Sequence, residues 1–135
     1  MGAIARLTRV ALPLCLLAAG CGTAAKEDDV IAVSDRFHAA IAARDGTAAC
    51  AELSANAVQT LERQEKRPCR EAVLELDLPA GARASAAEVY VTSGYAQLTG
   101  SNVAFLDEGP AGWKVAAAGC TPSSLDRPYD CELGG

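Results

Sequence analysis

At 135 residues, half of them apolar and about one-fifth charged, the chain has room for one domain with its own core. That composition excludes wholesale disorder, a collagen-like repeat and a coiled coil. The formal charge of -5, with no cluster of Lys and Arg, also excludes a nucleic-acid partner, because phosphate binding rests on clustered basic side chains.

The N-terminus carries the most specific signal. Arg6 and Arg9 give a positive start, residues 10–19 form an apolar stretch broken only by Pro13, and Ala18, Ala19 and Gly20 are small residues ahead of Cys21. The stretch is about half of the roughly 20 residues that a helix needs to cross a bilayer, so it predicts an export signal and not a permanent span. The small-small-Cys junction resembles the lipobox of bacterial lipoproteins, whose Cys is thioether-linked to diacylglycerol before cleavage ahead of it. The usual lipobox has Leu three residues before the Cys, whereas here Ala18 holds that place and Leu17 precedes it. The resemblance implies a signal peptide at 1–20, acylation of Cys21, with palmitate among the acyl groups, and a lipid-anchored position on the extracytoplasmic face of the cell membrane. The alternative is an ordinary secretory signal cut after Ala19 or Gly20, with Cys21 left as a thiol.

Without residues 1–20, ten basic and seventeen acidic side chains remain, a formal -7. Anionic headgroups repel such a surface, so the membrane would be held through acyl chains, two of which suffice for stable anchoring. Residues 21–29 are expected to be the lipidated Cys and a short tether, with 22–29 reaching at most about 25 Å when extended. Residues 30–135 then form one domain. Nine Arg against three Lys, with abundant Ala, fits a GC-rich, actinobacterium-like source.

Cys15 leaves with the signal and Cys21 is taken by lipid, which leaves Cys50, Cys69, Cys120 and Cys131. An even number in an exported domain predicts two disulfides. Three pairings are possible, and the sequence-local one, Cys50 with Cys69 and Cys120 with Cys131, is favoured. Each closed loop contributes about 3 kcal/mol in the chain-entropy model. A metal site is the competing use of these thiols, but there is no Cys-x-x-Cys and the one His, His38, is distant in the chain; no metal or cofactor is expected.

In residues 29–44, Val30, Val33, Phe37, Ala40 and Ile41 recur at three- and four-residue steps, which predicts a helix with one apolar face and an acidic start. Gly46 ends it. A second short helix is expected at 47–53. Ser54 is a natural N-cap for a third at 55–64, with Val58 and Leu61 inward, and Pro68 opens a fourth at 69–76. After Gly81 the period falls to two. Strands are expected at 84–92, with Val89 and Val91 on one face and Glu88 and Tyr90 on the other, and then at 95–99, 102–107 and 113–118. Ser93-Gly94, Gly100-Ser101 and the run Gly109-Pro110-Ala111-Gly112 supply the turns. Residues 121–135 read as loop. Helices followed by a meander imply an α+β domain, with helices packed on one face of a curved antiparallel four-stranded sheet.

This order, with Phe37-His38-Ala39-Ala40-Ile41-Ala42-Ala43-Arg44-Asp45 opening the domain, Ala48-Ala49-Cys50-Ala51-Glu52-Leu53 next and Gly112-Trp113-Lys114-Val115 closing the sheet, resembles small actinobacterial lipoproteins of the nuclear-transport-factor-2-like (cystatin-like cone) superfamily. The tail segments Gly119-Cys120-Thr121-Pro122 and Asp126-Arg127-Pro128-Tyr129-Asp130-Cys131-Glu132 are similar to theirs as well. The resemblance implies a cone with a cavity between helices and sheet. It transfers no single function, since the superfamily includes isomerases, dehydratases, cyclases and non-catalytic binding or assembly modules.

Cone-fold enzymes bring an Asp, often a His, and a Tyr or second acid into the cavity, where burial tunes the pKa for proton abstraction. The one constellation of that type is Asp35 and His38, three residues apart on the first helix, with Tyr90 or Tyr95 as donor from the sheet. His38 falls about 100° round from Phe37, at the margin of the apolar face, where a boundary His near a solvated Asp is the blander reading. Tyr90, Tyr95, Phe105 and Trp113 could line a ligand pocket or serve as core. Glu27-Asp28-Asp29 and Asp107-Glu108 lack calcium-loop spacing. No phosphate-cradling Gly motif and no nucleophile elbow is present. The expectation is a non-enzymatic module that binds a small ligand or an envelope protein partner, with a cavity enzyme using Asp35 and His38, or a purely structural assembly domain, as alternatives. A carrier would need an apolar cavity of several hundred Å³, an interaction module a filled cone and an exposed apolar patch on sheet or tail.

Overall fold

The computed structural model describes residues 21–124, 126 and 128–134; residues 1–20, expected as an export signal, the side chain of Cys21 and Arg127 of the tail motif lie outside the described residues. Helices α1 (Cys21–Ala42), α2 (Gly46–Glu52), α3 (Ala55–Glu65) and α4 (Cys69–Ala72) precede strands β1 (Ala84–Tyr90), β2 (Ser93–Leu98), β3 (Val103–Gly109), β4 (Gly112–Pro122) and β5 (Tyr129–Leu133). The strands form one antiparallel meander in chain order. The fold class is α+β.

The periodic residues of α1 do what their spacing predicts: Val30, Val33, Phe37, Ala40 and Ile41 are all buried. The helix begins at Cys21, so residues 22–29, expected as a tether, continue it. Ala24, Ala25, Lys26 and Glu27 are good helix formers, and Lys26 fixes this turn to the sheet. Its Nζ donates to Glu108 Oε2 at 2.6 Å and lies 6.0 Å from the centre of the Trp113 ring. A Cβ added at Gly94 would come within 2.7 Å of a Val30 methyl and 3.1 Å of the Trp113 ring. The bare backbone of Gly94 is therefore what lets α1 close on β2.

Short-range polar groups set the helix ends. Asp45 accepts from Ala48 N–H at 2.9 Å and caps α2, and Ser54 caps α3 as expected, accepting from Ala57 N–H at 3.2 Å. The fourth helix stops at Ala72 instead of 76. Beyond it the chain turns so that Leu78 is buried and Gly81 N–H reaches the carbonyl of His38 at 2.9 Å, a tertiary gain that overrides local helix propensity. Both sequence-local disulfides are present. Cys50–Cys69 joins α2 to the start of α4, and Cys120–Cys131 joins β4 to β5.

Two expectations about the sheet are corrected. The β1–β2 turn is Val91-Thr92 and not Ser93-Gly94, since Tyr90 pairs with Ser93. Val91 has φ +58 and is 85% exposed, so it does not share a face with Val89. Gly94, read as a turn residue, is spent on helix packing. The sheet also has five strands and not four, because the expected loop at 121–135 contains β5. Tyr129, Cys131 and Leu133 alternate there with Asp130 and Glu132, a short period-two pattern, and Cys120 pairs with Cys131 in register.

The main core lies between the helices and the sheet, where Val30, Phe37, Leu61, Val73, Leu106 and Val115 are buried together. Backbone contacts tie the two layers. Ser54 N–H donates to Val115 O at 2.9 Å, and Ala84 N–H donates to the Asp35 carboxylate at 2.8 Å. A smaller cluster, Val103, Ala117 and Cys120, sits under Tyr95, Phe105, Tyr129 and Cys131.

Candidate functional site

Alternation along β2 and β3 sends Gly94, Ala96, Leu98, Ala104 and Leu106 toward the helices, and Tyr95 and Phe105 to the opposite face. Tyr95 and Phe105 are direct cross-strand partners. The Cys120–Cys131 bridge holds β5 on β4, so Tyr129 comes against both rings. The ring centres are 5.6 Å apart for Tyr95 and Phe105, 5.3 Å for Phe105 and Tyr129, and 6.5 Å for Tyr95 and Tyr129. The first two pairs are edge-to-face, the arrangement that the ring quadrupole favours.

These rings, with Glu88, Tyr90, Ser93 and Gly94, line a groove of about 450 Å³ on the face of the sheet away from the helices. Tyr90 is 66% exposed, whereas Tyr95, Phe105 and Tyr129 are half-buried. The Tyr90 hydroxyl donates to Glu88 Oε2 at 2.7 Å, and this hydrogen bond raises the phenol above its usual pKa. Hydrogen bonding with the Tyr129 hydroxyl, followed by burial, raises Tyr95 likewise. Both phenols therefore keep their protons at neutral pH and serve as donors, not as bases. Glu88 is the acidic side chain of the lining. The groove offers flat π surfaces, hydroxyls and a carboxylate, and among the described residues that line it no Ser, Cys or Lys is hydrogen-bonded to a base.

Three of the four aromatic candidates, Tyr90, Tyr95 and Phe105, are thus brought together. Trp113 is not one of them: it is 6% exposed and packs in the main core on the helix side. Tyr129, Glu88 and Ser93 were missed. The favoured pairing of Cys131 with Cys120 was the signal for Tyr129, since that bridge draws the tail alongside the fourth strand.

Asp35 and His38 lie on the helix side, across the sheet from Tyr90 and Tyr95. Asp35 accepts from Ala84 N–H and pairs with Arg83 at 3.2 Å. His38 is fully buried, not marginal. Its Nδ1 donates to Ser34 O at 2.8 Å, and its Nε2 has no hydrogen-bond partner. Desolvation lowers the His38 pKa, against the raising effects of the Ser34 carbonyl and the Asp35 charge. The wheel misplaces His38 because burial depends on what packs over the helix: the ring is fully buried edge-on to Phe37 at 5.1 Å, and Gly81 N–H bonds the His38 carbonyl. Among the described residues no group of three or more His, Cys, Asp or Glu is placed to hold a metal, and no helix is long and apolar enough to cross a membrane. No family model matches the chain, and no curated protein or solved structure is significantly similar to it.

Proposed function

We propose that the chain is a lipid-anchored, extracytoplasmic lipoprotein whose domain, resembling the nuclear-transport-factor-2-like cone, is a non-catalytic module that binds an envelope protein partner through the aromatic groove. The supporting observation is where the large side chains lie. Phe37, Leu106, Val30, Val73 and Val115 are fully buried between helices and sheet, where a carrier would keep an enclosed ligand space, while three tyrosines and a phenylalanine line the opposite face. Tyrosine is enriched among residues that dominate binding energy at protein interfaces. The formal -7 of residues 21–135 and Glu88 in the lining favour a partner segment carrying Lys or Arg, whose stems would stack on the rings with their charges near the carboxylate.

Site-directed photo-crosslinking in the native membrane tests this. A benzophenone amino acid at Tyr90 should yield one discrete protein adduct that Phe105→Ala abolishes, whereas the same probe at the exposed helix position Arg63 yields none. Equal adducts from both positions, or none from Tyr90, would rule the groove out as the partner surface. The cavity-enzyme reading leans on Asp35 and His38, both engaged in structural contacts away from the groove.

A further inference from the structure

We infer that the β1–β2 hairpin tip, Tyr90 and Val91, rests in the headgroup layer of the membrane to which Cys21 is attached, so that the aromatic groove opens at the lipid surface. This rests on the acylation of Cys21 proposed above. The antiparallel meander brings the β1–β2 and β3–β4 turns to the same end of the sheet, and Glu108 N–H donates to Thr92 O at 2.7 Å, joining them directly. α1 starts at that end. Val30 lies against Gly94, one residue inside the tip pairing of Tyr90 with Ser93, and Lys26 bonds Glu108 at the end of β3. Asp35 lies at the opposite end, against the first residue of β1. At a rise of about 1.5 Å per residue, Cys21 stands about 7.5 Å beyond Lys26 along the helix axis. The headgroup layer is about 5–7.5 Å thick on each side of the hydrocarbon. A diacylglycerol-bearing Cys21 at the membrane surface thus sets the two turns at headgroup depth.

The tip has the chemistry for that place. Tyr90 and Val91 are exposed large hydrophobic residues, 66% and 85% accessible. Residues 91–93 and 109–112 carry no charge. A ring with a polar tip suits a membrane–water interface. Val91 also adopts a left-handed φ, which is costly for a β-branched side chain, and the solvent-exposed methyls recover nothing within the fold. Burial in lipid gives that side chain a purpose. Glu27, Asp28, Asp29 and Glu108 near the same end select a zwitterionic surface over an anionic one.

The test uses the intact lipidated protein, isolated from membranes and reconstituted with methyl-labelled valine in nanodiscs of zwitterionic phospholipid. A small fraction of the lipid carries a gadolinium chelate on its headgroup. Val91 methyl signals should broaden several-fold more than those of Val103, which starts β3 at the far end of the sheet. The Cys21 peptide is weighed in the same preparation. Equal broadening of both valines, or none, with a diacylated Cys21 overturns the tip contact and leaves the anchor standing. A Cys21 of unmodified mass overturns both.

Discussion

His38 donates from Nδ1 to a backbone carbonyl, which leaves Nε2 as a bare acceptor in the core beside an equally unpartnered Ser34 hydroxyl. Only the neutral ring fits there. Because burial holds its folded pKa below the ordinary 6.5, the unfolded chain binds the proton more readily. The stabilising contribution is therefore complete above about pH 6.5 and is lost as the pH falls from there toward the folded value. His38→Leu should leave stability at pH 7 within about 1 kcal/mol of the native protein and flatten that decline, as read from urea midpoints between pH 7.5 and 5. An unchanged slope would assign the decline to the carboxylates. Val91 poses the opposite problem, a side chain that the fold strains without burying. Val91→Gly should raise stability by about 1 kcal/mol, the relief of a left-handed β-branched residue less the entropy of the added glycine. The same variant should show a weaker attachment of the tip to lipid, which separates folding from membrane contact.

Elements in this small domain are held by a few specific devices. The approach of α1 to β2 depends on the missing side chain at Gly94, so Gly94→Ala should cost about 1–3 kcal/mol in denaturant titrations by forcing Val30 and Trp113 apart. The disulfides divide the labour between stability and the groove. Replacing either pair by Ala should remove about 2–4 kcal/mol. Only Cys120→Ala/Cys131→Ala should also reduce crosslinking from Tyr90, because that bridge holds β5 and hence Tyr129 beside Phe105. Similar losses of crosslinking from both double variants would deny the groove a special dependence on β5.

At the level of the whole molecule, the acidic surface and the proposed acyl chains act in opposite senses at the membrane. Cys21→Ser in a chain whose residues 1–20 are replaced by an ordinary cleavable secretory signal should move the protein from the membrane fraction to the soluble one even at low ionic strength, since the formal -7 of residues 21–135 supplies no electrostatic hold. Retention of the serine variant on membranes would show that some other part of the chain binds there.

Much of this architecture follows from local patterns. The buried face of α1, the Ser54 cap, the switch from helical period to strand period after Gly81 and the two short-loop disulfides depend on near neighbours in the chain, and each could be read from residue spacing. Other features depend on what packs against a residue. Gly94 looked like a turn until Val30 came against it, His38 looked marginal until the folded core enclosed it, and Tyr129 looked like loop until Cys131 drew it onto β4. The aromatic candidates were visible as residue types, but strand pairing decided which face each took: Tyr95 pairs with Phe105 and both face away from the helices, whereas Trp113 pairs with Glu108 and packs in the core on the helix side. Periodicity along a chain records a side chain's direction relative to its own element. Burial and partners arise from long-range contacts, and those exist only once the sheet has closed against the helices.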